Sequence, residues 1–216
     1  MKWLILTLVC IVLTISLAII LSTPPPSLKR KVAYNFITPE ESQRMIELID
    51  QKVEAKAYRK RQEFDSGEQQ IFDMKEFNDS LVDSIRQRVD EFTKAHFGQD
   101  IHIESSYMKV RVPGKQEYAH PIHADNCEYN KFTDECTVEA KTDFWVSHSV
   151  LVYLNRCEGG EFFFVGGETL VPEPGLIVGF SSGPENLHGV NKIKSGNRYA
   201  IAMWFTKEPE RREKYI

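Results

Sequence analysis

A chain of 216 residues with 42% hydrophobic and 27% charged side chains has the length of one domain plus appendages and an ordinary globular composition. Its formal net charge of −4 provides no broad basic face and so argues against nucleic acid as a partner.

The apolar material is concentrated at the start. Residues 3–21 carry no charge and are almost continuously Leu, Ile, Val and Thr, long enough to cross a bilayer as a helix. The alternative is a cleaved secretory signal, whose apolar core is usually shorter; here Pro24-Pro25-Pro26 stands where a cleavage site would lie. The expectation is a retained signal anchor and transmembrane helix over 1–22, a Pro-rich and basic linker over 23–33, and one domain over 34–216. Lys2 precedes the span and Lys29, Arg30 and Lys31 follow it, so the flanking charges lean only slightly toward a cytosolic C-terminal domain.

The domain opens with helical signals. Thr38-Pro39-Glu40-Glu41 offers an N-cap, a proline at the first helical position and acids in the first turn. Met45, Leu48, Ile49 and Val53 follow at helical spacing. A second helix starts near Asn78 or Asp79, carries Leu81, Ile85, Val89 and Phe92 on one stripe, and ends before Gly98. Both stripes read as faces packed on a sheet, and the first half of the domain reads as helical.

Beyond residue 100 the pattern becomes short strands separated by turns. Strands are predicted at 106–112, 119–125, 149–155, 161–165, 168–171, 175–180, 187–193 and 198–206. Gly159-Gly160, Gly166-Gly167, Pro174-Gly175, Gly183-Pro184 and Ser195-Gly196 punctuate them. Helices first and then a run of strands predict an α+β fold built on a sandwich, barrel or jelly roll.

Within that run, His123 and Asp125 stand two residues apart. On a strand such residues share a face, so both could reach one metal if a third ligand came from another strand. His188 opens a late strand and is followed by Gly189, which would leave space beside it. The other histidines sort elsewhere: His96 and His102 to the surface or to packing, and His120 and His148 to the opposite face by odd spacing. Two His and one carboxylate on one face of an iron leave three positions open. Arg198 shares its strand face with Ala200, Ala202 and Trp204, small neighbours for a core. That suits a cavity with a carboxylate-gripping cation at one end, or an edge-strand arginine that reaches water.

Taken in order, His123-Ala124-Asp125, Tyr153-Leu154-Asn155, Gly159-Gly160-Glu161-Phe162 and Pro172-Glu173-Pro174-Gly175 precede two longer blocks. These run from Phe180-Ser181-Ser182-Gly183 to Glu185-Asn186-Leu187-His188-Gly189-Val190, and from Arg198-Tyr199-Ala200 to Trp204-Phe205-Thr206. Over about 107–206 the chain resembles the catalytic domain of prolyl hydroxylases, which are iron(II)- and 2-oxoglutarate-dependent oxygenases. The stretch from His123 to Cys127 and the Phe180–Arg198 block are most similar to collagen prolyl 3-hydroxylases. The anchor with a small domain is also similar to a membrane-bound oxygenase subgroup of undefined substrate.

The resemblance implies a double-stranded β-helix (jelly-roll, cupin-like) with supporting N-terminal helices. It implies His123, Asp125 and His188 as iron ligands, Arg198 and Tyr153 as partners of the 2-oxoglutarate carboxylate, and Trp204 and Ala202 in the pocket wall. Fe(II), 2-oxoglutarate and O₂, with ascorbate as a further cofactor, are implied with it. So is hydroxylation of a C–H bond in a peptide or protein, proline first, with no general acid or base beyond the metal ligands. One departure stands out: prolyl 4-hydroxylases place a Tyr three residues before the first iron His, and here that position is His120.

The family also implies a disulfide between Cys127 and Cys136, which requires an oxidising compartment. This points to a single-pass type II protein with its domain in the endoplasmic reticulum lumen; two cytosolic thiols are the rival reading. Two further function classes stay open. One is an oxygenase of a small molecule or lipid near the membrane, and the other is a silent β-helix module that binds without turnover.

Overall fold

The computed structural model describes residues 30–55, 59–62, 68–137, 141 and 143–213. The expected anchor and residues 23–29 of the expected linker lie outside the described residues, while Arg30–Ala33 of that linker form a strand. Among the described residues, no helix is long and apolar enough to cross a membrane.

The chain enters on strand β1 (Arg30–Ala33) and turns into helix α1 (Pro39–Glu54). The start of α1 is a capping box: the Thr38 hydroxyl accepts from the Glu41 backbone N–H, and the Glu41 carboxylate accepts from that of Thr38. Strands β2 (Arg59–Gln62) and β3 (Glu68–Asp73) follow, then helix α2 (Ser80–Phe97), which Asp79 caps by accepting from the Leu81 N–H. Met45, Leu48 and Ile49 of α1 and Val82, Ile85 and Val89 of α2 are buried. Arg88 ties the helical layer together by donating to the Glu41 carboxylate and to the Phe36 carbonyl oxygen.

Beyond α2, apart from two short 3-10 turns, the regular elements are strands. In chain order these are β4 (His102–Arg111), β5 (Tyr118–His123), β6 (Glu128–Asn130), β7 (Glu135–Thr137), β8 (Val146–Tyr153), β9 (Glu158–Gly159) and β10 (Phe162–Phe164). Then come β11 (Thr169–Leu170), β12 (Ile177–Ser181), β13 (His188–Asn191), β14 (Ile193–Ser195) and β15 (Arg198–Thr206). One sheet has seven strands in the order β1-β12-β8-β15-β4-β3-β2, and a second has four in the order β11-β10-β13-β5. The short pairs β9–β14 and β6–β7 complete the set. The fold is therefore a mixed α+β jelly roll of the double-stranded β-helix kind, with two supporting helices.

Alternation along the strands creates two cores. Ile201, Met203 and Phe205 of β15, with Val150 and Val152 of β8, pack against the helices. The opposite face of the large sheet supplies Tyr153, Val178, Phe180 and Ala200 to a second cluster, where Phe162, Phe164 and Val190 arrive from the small sheet. The cavity described below opens between these two sheets.

The sequence reading is corrected in three places. The first half of the domain is not wholly helical, because β1, β2 and β3 lie in it. Their sequences are largely polar, β1 and β2 take the two edges of the large sheet, and neither β2 nor β3 has the apolar alternation that announces a strand. The segment after Asp125, where no strand is predicted before residue 149, contains the β6–β7 hairpin. The strand expected at 187–193 is two strands, β13 and β14, which pair with different partners.

Candidate active site

β5 and β13 run antiparallel with His123 directly opposite His188. Their ring centroids are 4.3 Å apart. His188 Nδ1 lies 2.8 Å from the Asn186 carbonyl oxygen and His123 Nδ1 lies 2.9 Å from that of Pro121. A carbonyl oxygen only accepts, so each Nδ1 carries the hydrogen and each Nε2 presents a lone pair. Both Nε2 atoms face Asp125: that of His123 is 3.5 Å from Oδ1 and that of His188 is 3.7 Å from Oδ2. One donor atom from each of the three residues lies within 4.8 Å of the other two.

Asp125 does not reach this position by strand alternation, as expected from spacing. β5 ends at His123, and Asp125 sits in the turn beyond it. The Ser182 carbonyl oxygen pins that turn by accepting from the backbone N–H groups of Asp125 and Asn126 at 3.1 and 3.2 Å.

The surroundings favour metal-ready protonation states. Burial, aided by the neighbouring His123, pushes His188 down to about 4, so its imidazole is neutral near pH 7. Burial opposes ionisation of Asp125, but contacts from His123, His188 and the Ser149 hydroxyl outweigh it and hold the carboxyl well below its usual range. The His188 ring is fixed by aromatic packing: it stacks on Phe162 at 5.1 Å and meets the edges of Phe164 and Phe180. Gly189 leaves space, as its position suggested, and the Phe163 ring takes it; a Cβ there would lie 2.7 Å from that ring.

The same cavity ends in a buried cation. Arg198, Ala200, Ala202 and Trp204 line one wall. Arg198 Nη2 donates to the Tyr153 hydroxyl at 3.0 Å, and its Nε donates to the Gly160 carbonyl oxygen at 3.1 Å. Gly160 has φ +70°, and a Cβ on it would sit 3.2 Å from Arg198 Cδ, so the close approach requires glycine. Tyr153 is fully buried, and burial raises its pKa against the opposing pull of Arg198, so the phenol keeps its proton. Two imidazoles and a carboxylate at one end, with no thiolate, fit Fe(II), with positions open for 2-oxoglutarate and O₂.

Comparison with known proteins agrees with this donor set. The family model of the 2OG-Fe(II) oxygenase superfamily matches residues 108–206, which hold all three donors and Arg198. Residues 108–206 thus match the 2OG-Fe(II) oxygenase superfamily, and the chain is similar to its prolyl-hydroxylase type.

Among relatives of this chain, human prolyl 3-hydroxylase 3 is 36% identical over 148 residues, covering 62% of this chain and 20% of that protein. Prolyl 3-hydroxylase 2 of Gallus gallus is 41% identical over 148 residues, with 62% and 21% covered. The chain thus spans about a fifth of the length of these relatives. Solved structures share the fold. The viral collagen prolyl hydroxylase of Paramecium bursaria Chlorella virus-1, in its 2OG complex, has a TM-score of 0.58 at 21% identity, covering 82% of this chain and 95% of that one. The Trichoplax adhaerens prolyl hydroxylase in complex with a hypoxia inducible factor peptide fragment has a TM-score of 0.59 at 18% identity, with 85% and 86% covered.

His120 corrects the sequence reading. Odd spacing from His123 assigned it to the far face, but it lines the cavity with its ring centroid 4.1 Å from that of His123. The pairing explains this: His188 opposes His123 and Val190 opposes His120, so two steps on β13 span three on β5. This is a β-bulge, and it lets His120 share the cavity face with His123 despite their odd spacing. Pro121, which cannot donate to a ladder, sits inside it and was the available signal. Burial, with neighbouring His123 and the cations Arg111 and Lys109, pushes His120 well below its ordinary value.

Lys109 and Arg111 were also missed. They share an inward face of β4, Arg111 directly opposite Arg198 and hydrogen-bonded to Gln69, and Lys109 over the Trp204 ring at 4.1 Å. His148 packs on Phe97, on the helical side. Cys127 and Cys136 are joined as a disulfide that spans the β6–β7 hairpin, and Cys157 is a free thiol.

Proposed function

We propose that this chain is an Fe(II)- and 2-oxoglutarate-dependent dioxygenase that hydroxylates a peptide or protein side chain, with proline the first candidate. The observation that carries it is the single cavity with His123, Asp125 and His188 at one end and Arg198 with Tyr153 at the other. His123 Nε2, Asp125 and His188 Nε2 would hold the iron. With 2-oxoglutarate and O₂, iron supplies the oxidising chemistry: 2-oxoglutarate goes to succinate and CO₂ while a substrate C–H becomes C–OH.

The protein's own contribution is placement. Arg198 would grip the distal carboxylate of 2-oxoglutarate, which its buried guanidinium neutralises. Tyr153, a protonated phenol already accepting from Arg198, has its one hydrogen to donate to the same carboxylate. Ala202, with Ala200, keeps that wall free of side-chain bulk, and Trp204 forms its aromatic part. No side chain need act as general acid or base. The peptide substrate is supported by the prolyl 3-hydroxylase similarity and by the Trichoplax relative solved with a peptide fragment.

The uncharged run 3–21 supports a membrane anchor, and the chain divides as anchor 1–22, linker 23–33 and oxygenase domain 34–216. The paired cysteines favour a type II orientation with the domain in the endoplasmic reticulum lumen.

Turnover separates the readings of substrate. Purified protein with Fe(II), 2-oxoglutarate and unstructured proline-bearing peptides is expected to form succinate and add one oxygen to the peptide by mass spectrometry. Succinate coupled to a free metabolite or lipid, with no peptide modified, would overturn the peptide assignment.

A further inference from the structure

The metal end of the cavity carries a device outside the three donor residues. Ser149 lies on β8 and Ser182 just past β12, and both are buried, at 4% and 1% exposed. The Ser149 hydroxyl lies 2.5 Å from Asp125 Oδ2, and the two serine hydroxyl oxygens are 2.8 Å apart. Ionised Asp125 can only accept, so the Ser149 hydrogen belongs to Oδ2, and Ser149 in turn accepts from Ser182. The chain of donation therefore has one direction: Ser182 to Ser149 to Asp125. Ser182 acts twice, because its carbonyl oxygen also holds the Asp125 backbone N–H. Its own N–H donates to the Ser147 carbonyl oxygen at 3.0 Å, which anchors the arrangement to the large sheet.

A free carboxylate can offer a metal one oxygen or both. Offering both would occupy two positions and leave two beside the pair of histidines. Chelating 2-oxoglutarate together with O₂ needs three. We infer that Ser149 and Ser182 are positioning residues that commit Oδ2 to the protein, so that Asp125 gives the metal one oxygen and three positions stay open. This rests on the metal reading above. A buried serine pair could instead be inert packing, but then its hydroxyls would not converge on the one carboxylate of the donor set.

Cobalt(II) is the probe, because its d–d absorption reports coordination number without turnover. Wild type is expected to bind one Co(II) per chain. Ser149→Ala is expected to bind it about 10-fold or more weakly, as for outer partners of metal ligands. Its d–d bands are expected to shift in position and intensity, and Ser149→Thr to restore both. Ser182→Ala is expected to move the same bands in the same direction by less, and serves in its own right if Ser149→Ala does not fold. Wild-type affinity and an unchanged spectrum in either folded alanine variant would overturn the relay. Failure of the wild type to bind Co(II) would overturn the metal reading itself, a separate result.

Discussion

His123 and His188 face each other across two antiparallel strands, and each turns Nε2 toward Asp125 because its Nδ1 is held by a backbone carbonyl oxygen. The imidazoles are thus oriented before any ion arrives. Alanine at His123, Asp125 or His188 is expected to abolish binding of one Mn(II) per chain, measured by calorimetry, and to leave the far-ultraviolet dichroism near wild type. His96→Ala and His148→Ala, which remove rings outside the cavity, are expected to bind Mn(II) normally. Full binding by His188→Ala would move the third ligand elsewhere.

Arg198 is expected to govern 2-oxoglutarate rather than metal. Losing a buried cation partner typically costs about 2–5 kcal/mol. Arg198→Ala should therefore raise the apparent constant for 2-oxoglutarate on the order of 30-fold or more at unchanged Mn(II) affinity. Tyr153→Phe removes one hydrogen bond, about 1 kcal/mol, or roughly 5-fold. Gly160→Ala is expected to act in the same direction as Arg198→Ala, since its methyl group displaces the guanidinium stem. Unchanged 2-oxoglutarate dependence in Arg198→Ala would place the co-substrate elsewhere.

Much of this architecture is legible in the residues themselves. The Thr38-Pro39-Glu40-Glu41 cap, the two amphipathic helices and the inward face from Arg198 to Trp204 follow from local chemistry and strand period, and the structure has them. What escapes are features set by pairing. His120 enters the cavity because a bulge shifts the register, which alternation within one strand cannot reveal. Asp125 converges through a turn tied to Ser182, a residue distant in sequence. Strand β3 is recruited to the sheet by pairing with β4 and edge strand β2 by pairing with β3, neither with an apolar period of its own.

Phe180 links the core to the metal end. It is buried and meets Phe162, Phe164 and the His188 ring at centroid distances of 5.6, 5.3 and 4.7 Å. Phe180→Ala is expected to destabilise the domain by about 3–5 kcal/mol in urea unfolding, through lost transfer energy and a cavity. It should also weaken Mn(II) binding, because His188 loses one of its walls. A variant as stable as wild type would show that this site collapses without cost.

The cysteines and the membrane orientation are tested together. The Cys127–Cys136 bridge spans nine positions, and removing it is expected to cost roughly 2–3 kcal/mol. Non-reducing peptide mapping should find this pair joined and Cys157 alone open to alkylation among 127, 136 and 157. Protease added to intact microsomes should spare the domain until detergent is present. Digestion without detergent, with all three cysteines alkylated, would contradict both the lumenal placement and the bridge in the cell.

The central claim is that one cavity holds a metal at His123, Asp125 and His188 and the far carboxylate of 2-oxoglutarate at Arg198. A crystal structure of the domain with Mn(II) and 2-oxoglutarate tests it most directly. The account predicts Mn(II) bound by both Nε2 atoms and a single Asp125 oxygen, with the 2-oxoglutarate distal carboxylate on Arg198 and Tyr153. Mn(II) bound elsewhere, or 2-oxoglutarate with its distal carboxylate away from Arg198, would contradict it.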